Sequence, residues 1–166
     1  LAIITFNRPD RHNAFNDEMS DLFQPILQEA LEDDSSAILL RANGKSFCSG
    51  RDTSVLGHRA RDESDFHFVR GGWEMALAAD IRVGDTSLKM ALPEINDGLL
   101  PDTGGTQMLT ALIGPSRTKY LVMSGERIDG ATAHDWGAID FLVEPEELDG
   151  IALRIATQIA SKPPLN

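Results

Sequence analysis

Gly71-Gly72-Trp73-Glu74-Met75-Ala76-Leu77-Ala78-Ala79-Asp80 is the stretch around which the rest of the chain reads. Two glycines without Cβ let the backbone come close to a ligand. Trp73 to Ala79 are good helix formers, which puts the glycines at a helix start. Such a start carries unsatisfied N–H groups and partial positive charge, so it suits a developing anion. Glu74 lies in the first turn, and a second carboxylate follows at Glu94, in Leu92-Pro93-Glu94. The residues read as an oxyanion pocket beside two carboxylates. The plain alternative is a glycine turn followed by an ordinary acidic first-turn residue. Gly-Gly-x-Glu alone is a weak motif, and its surroundings decide.

The chain has 166 residues, 42% of them hydrophobic, enough for one domain with a real core. A formal charge of -11 and a pI of about 4.6 argue against a nucleic-acid surface or an anionic membrane as partner. No apolar run approaches the ~18 residues of a membrane span. The sequence opens directly in a strand-like pattern, and no signal or transit peptide is visible. Cys48 is the single cysteine, which rules out an internal disulfide and points to a reducing, cytoplasmic compartment.

Ala2-Ile3-Ile4-Thr5-Phe6 predicts a strand, and Asn7 to Arg11 a loop. From an N-cap at Asn16, residues Met19, Leu22, Phe23, Ile26, Leu27, Ala30 and Leu31 mark one helix face, with a kink or break at Pro25. Ala37 to Leu40 predict a buried strand. Residues 58 to 70 are densely charged and predict a solvated, poorly ordered segment, in which His58 and His67 lack ligand spacing. Leu88 and Met90 predict a half-buried strand. Helices follow through Met108, Leu109, Leu112 and Ile113 to an end at Gly114, from Ser116 to Ser124 with Gly125 as its stop, and from Asp129 to His134 with a stop near Gly137. Ile139 to Val143 predict a last strand. Pro145 to Ser161 predict an amphipathic helix with Leu148, Ile151, Ile155 and Ile159 inward. Strands alternating with helices make the class α/β.

Three ordered segments resemble the crotonase (enoyl-CoA hydratase/isomerase) superfamily: Ser46 to Asp52, Gly71 to Arg82, and Ala91 to Glu94 continuing through Pro101 to Gln107. Gly125 to Gly137 also resembles that family's segment after the site. The resemblance covers nearly the whole chain as a single crotonase-like domain. It implies a ClpP/crotonase superhelix of strand-strand-helix units, acyl-CoA substrates, and homotrimers or hexamers. It implies Glu74 and Glu94 as catalytic groups, and the N–H groups of Ser49 and Gly71 as the oxyanion hole for the thioester carbonyl. Arg11, Ala14, Ser49, Gly50, Arg51, Asp52 and Gly71 match the acyl-CoA-binding region. Neither a metal nor a separate cofactor is implied; coenzyme A arrives within the substrate. The implied reaction adds water across the double bond of an enoyl-CoA. An isomerase or carnitinyl-CoA-dehydratase-like enzyme is the nearest alternative, and a non-catalytic crotonase-like binding protein is an alternative of another class.

The chemistry explains the equipment. Charge developing on a thioester oxygen must meet preorganised donors, each worth ~10²–10³ in rate. Two carboxylates hold one water; one takes its proton while the protonated partner delivers a proton to Cα. Several residues keep two readings. Arg11 either meets a phosphate of coenzyme A or is a solvated loop arginine. Asp52 fixes its own turn rather than touching substrate. Trp73 and Asp102 are possible acyl-pocket residues, with core filling and a helix N-cap as their respective alternatives. Cys48 reads as a packed small residue. One departure matters: charged Arg70 abuts Gly71, where the family places an apolar strand and a turn. A longer protein with an intervening segment between Arg70 and Gly71 is therefore expected. The sequence also stops before the family's C-terminal oligomerisation helices.

Overall fold

The computed structural model describes residues 1–52, 54 and 72–163. Gly71 and the charged stretch from 58 to 70, with its expected disorder, lie outside the described residues. Contacts divide the chain into two compact units: Leu1–Phe68 with Asp149–Asn166, and Val69–Leu148.

In the first unit β1 (Ala2–Phe6) pairs in parallel with β2 (Ile38–Ala42), in register from Ala2 opposite Ile38 to Phe6 opposite Ala42. Parallel neighbours need a crossover, and α1 (Asp17–Glu32) provides it. β1 buries Ile4 and Phe6 while Ile3 faces solvent, the alternation of a strand with one covered face. β2 is half-buried along its length rather than fully buried. Asn16 caps α1 as expected, its Oδ1 accepting from the Met19 N–H at 3.0 Å. The helix runs through Pro25 without the break that proline suggested. Leu22, Ile26 and Leu31, expected on the inner face, are exposed; of that face the helix buries Ala30, and it buries Ser20 as well. Larger inward side chains are supplied by an aromatic cluster, Phe6 with Phe15, Phe23 and Phe47 at centroid distances of 5.3, 5.7 and 5.3 Å. The final helix, α6 (Leu148–Ala160), is preceded by a separate 3-10 turn, Pro145–Glu147. It buries Ala156, and Ile159 is exposed rather than inward.

The second unit runs through α2 (Gly72–Leu77), β3 (Val83–Asp85), β4 (Lys89–Met90), a 3-10 turn at Pro93–Asp97, α3 (Gly105–Ile113), α4 (Pro115–Ser124), β5 (Ile128–Asp129), α5 (Gly130–Trp136) and β6 (Phe141–Val143). β3 pairs in parallel with β6, and β4 antiparallel with β5. Leu92, Leu109, Leu121, Ala133 and Ala138 form the interior, with Trp73 and Leu77 packed among them. α2 therefore brings its buried face to the same core that α3 and α4 build. Arg82 fastens the chain after α2: its Nε donates to the Ala138 carbonyl at 3.0 Å and its guanidinium pairs with Asp140 at 3.0 Å. A buried guanidinium needs such partners.

Candidate active site

α2 is short but almost wholly buried from Gly72 to Met75, and this places Glu74 inside the second unit at 2% exposure. Carboxylates that deep are held by specific partners. The Glu74 Oε1 accepts from the backbone N–H groups of Thr103 and Gly105, each at 3.3 Å. Both amides belong to the entrance of α3, where N–H groups have no partner within the helix. Gly104 is the N-cap there, in the left-handed region at φ +93°, and no side chain caps the helix. Asp102 is thus not the cap that the sequence suggested; it is exposed.

Glu94 sits in the first turn of the 3-10 segment Pro93–Asp97. Burial pushes its carboxyl above the ordinary 4.5, and the negative charges of Glu74 and Asp102 push in the same direction. Its Oε2 is buried with no hydrogen-bond partner among the described residues, and the same holds for Thr103 Oγ1 and Trp73 Nε1. Each buried group left without a partner costs about 1–3 kcal/mol. Trp73 otherwise behaves as core, 8% exposed in the apolar cluster.

The first unit holds the other expected residues on two linked loops. His12 and Asn13 both have positive φ, at 50° and 53°. Asn13 is fully buried and every polar atom is used: Oδ1 accepts from the Arg8 N–H at 2.7 Å, and Nδ2 donates to the carbonyls of Asn43 at 2.9 Å and Ser46 at 2.7 Å. The Ser49 N–H donates to the His12 carbonyl at 3.1 Å. Its expected role as an oxyanion donor is therefore not supported by this geometry, because the turn itself uses that amide. The Gly50 N–H donates to Cys48 Sγ at 3.3 Å, and the Asp52 N–H to the Phe15 carbonyl at 2.9 Å. That leaves the Arg51 amide as the one N–H from Ser49 to Asp52 without a partner among the described residues. Its side chain pairs with Asp17.

Asp52 does fix its own turn, accepting from the Ser54 N–H at 3.0 Å. It also pairs with Arg8 at 2.6 Å, a partner 44 positions away that the sequence did not signal. These bonds, the Ser54 hydroxyl first and then Arg8, hold its carboxyl well below the usual range. Arg11 is exposed, its nearest carboxylate the adjacent Asp10 at 3.9 Å, while Ala14 is buried. Burial raises the Cys48 thiol, which suits an inert packed residue. Among the described residues no group of three or more His, Cys, Asp or Glu is placed to hold a metal ion. No helix among them is long and apolar enough to cross a membrane.

Residues 1–70 and 67–166 match the family of enoyl-CoA hydratases/isomerases. A short-chain-enoyl-CoA hydratase of Clostridium acetobutylicum is 30% identical over 193 residues, covering 99% of this chain and 74% of the relative. A 1,2-epoxyphenylacetyl-CoA isomerase of Escherichia coli is likewise 30% identical over 193 residues, covering 98% and 74%. The solved structure of a carnitinyl-CoA dehydratase from Mycobacterium avium superposes with a TM-score of 0.86 at 31% identity, covering 98% of this chain and 72% of that one. The chain belongs to the enoyl-CoA hydratase/isomerase family and has the crotonase fold.

Proposed function

We propose that this protein is an enoyl-CoA hydratase, adding water across the double bond of an enoyl-CoA thioester through an enolate. The observation that carries the proposal is the carboxylate pair of the second unit. Glu94, with one buried unpartnered oxygen and a raised pKa, feels the charge of Glu74, itself anchored on the amides of Thr103 and Gly105. A carboxyl that keeps its proton above the ordinary range fits delivery to Cα. Glu74 then takes the proton of the water whose oxygen attacks Cβ. After turnover the proton resides on Glu74 and Glu94 is bare, so one proton returns to Glu94 before the next cycle.

The enolate oxygen is assigned to backbone amides. The resemblance assigns this to the amides of Ser49 and Gly71; within the first unit it is the Arg51 amide rather than that of Ser49 that has no partner among the described residues, which favours Arg51 for that donor. Such chemistry needs no resident metal or redox cofactor, since coenzyme A comes with the substrate. A homotrimer or hexamer belongs to the same proposal; the exposed Leu99, Leu100 and Met123 of the second unit are apolar surface that an assembly would cover. The intervening segment after Arg70 is supported by the family match, which falls into two pieces meeting at 67–70, and by alignments of 193 residues against a chain of 166.

A double-bond isomerase is the second reading, because the same pair can take a proton from one carbon and return it to another. The matched family includes isomerases as well as hydratases, which favours keeping it. The Gln variants test both. Glu94→Gln and Glu74→Gln are each expected to lower kcat for crotonyl-CoA hydration by ~10²–10⁴, with thioester binding little changed. Near-normal turnover in either variant removes that carboxylate from the mechanism.

A further inference from the structure

We propose that Gly105 is a positioning residue for Glu74: the missing Cβ at this position is the space in which the carboxylate lies. The inference rests on the acid–base role proposed for Glu74. A Cβ built on Gly105 would stand 2.7 Å from Oε1, 2.8 Å from Cγ and 3.2 Å from Cδ of Glu74. Two of the three are closer than real Cβ atoms come to other heavy atoms. All three belong to one side chain that is 2% exposed and has little room to withdraw. The same glycine donates its N–H to Oε1, so one residue provides both the space and a hydrogen bond. A methyl group there pushes the carboxylate off the amides of Thr103 and Gly105.

The neighbouring glycine has a different task. Gly104 has φ +93°, a conformation that side chains disfavour, but a Cβ there would meet just the Met108 Cε, at an ordinary 3.5 Å. Gly104 shapes the backbone at the entrance of α3, and Gly105 leaves room for the reacting group. Misplacing a catalytic group by about 1 Å costs ~10² in rate, so the effect belongs in kcat rather than in binding.

The test compares Gly105→Ala, Gly104→Ala, Glu74→Ala and the Glu74→Ala/Gly105→Ala double variant in crotonyl-CoA hydration, with urea unfolding alongside. Gly105→Ala is expected to lower kcat ~10–100-fold with KM changed by less than about threefold. In the Glu74→Ala background, where neither Cγ nor carboxylate fills that space, Gly105→Ala is expected to lower neither kcat nor the urea midpoint further. Gly104→Ala is expected to lose urea stability through its backbone alone. Wild-type-like kcat in Gly105→Ala, or a further loss of kcat in the double variant, overturns the inference. If Gly105→Ala does not fold, the Glu74→Ala/Gly105→Ala protein is expected to fold like Glu74→Ala alone; a double variant that also fails to fold overturns the inference equally. The two readings fail separately. An active Glu74→Gln protein sinks the role of Glu74, whereas a normal Gly105→Ala beside an inactive Glu74→Gln sinks the positioning alone.

Discussion

Replacing Asn13 by alanine is expected to cost about 4 kcal/mol of stability. The side chain is fully buried and makes three hydrogen bonds, at 2.7, 2.9 and 2.7 Å. At about 1 kcal/mol each these contribute ~3 kcal/mol. Asn13 also has φ 53°, a conformation that asparagine tolerates better than alanine, which adds ~1 kcal/mol. In urea, with a slope of ~2 kcal/mol per molar, the midpoint is expected to fall by ~2 M at unchanged slope. Asn13→Gly separates the two contributions, since it loses the bonds without the backbone penalty, and it is expected to cost ~3 kcal/mol. A loss below ~1 kcal/mol for the alanine variant would show that water replaces these bonds and that the residue does not hold the loops together.

Two further outcomes follow from the carboxyl groups and from the chain's length. If protonated Glu94 is the acid, hydration falls as pH rises through its folded pKa, which burial and the charges of Glu74 and Asp102 place above 4.5; Asp102→Asn removes one of those charges and is expected to move the alkaline limb to lower pH. Its contribution to stability has the same sign: fully present below 4.5, where the unfolded chain also holds the proton, and lost as pH rises through the folded value. An alkaline limb unmoved by Asp102→Asn contradicts that assignment. The proposed segment between Arg70 and Gly71 is tested by cleavage after glutamate: a peptide from Ser64 to Glu74 joining Arg70 directly to Gly71 rules the segment out, and the intact natural protein is expected to exceed 18.1 kDa.

Local signals carried much of the fold. The cap at Asn16, the helix through Met108 to Ile113 and the stop at Gly125 were legible because each depends on neighbours a few residues away. β3 was not, because Gly84 leaves no alternating side chain there; a Cβ on it would meet Ile139 and Leu88 at 2.9 Å. The depth of Leu22, Ile26 and Ile159 was misread for another reason: periodicity shows a face but not what covers it. Glu74 and Glu94 were read from their segments, and the structure places both in the second unit, where the charge of Glu74 acts on Glu94. The Arg8–Asp52 pair could not be read that way, since nothing local couples residues so far apart in sequence. Nor could the use of the Ser49 amide by His12, which follows from a left-handed turn at two non-glycine residues. Asp102 was misassigned as a cap because Gly104 takes that place with its backbone alone.

The central claim is that this chain adds water to an enoyl-CoA with Glu74 and Glu94 as its acid–base pair. The most direct measurement is turnover of crotonyl-CoA in heavy-oxygen water, with mass analysis of the product beside the same reaction by Glu94→Gln. The account predicts 3-hydroxybutyryl-CoA carrying one heavy oxygen from the wild-type chain, and loss of that product in the variant. A shifted double bond without oxygen incorporation, or undiminished labelling by Glu94→Gln, would contradict it.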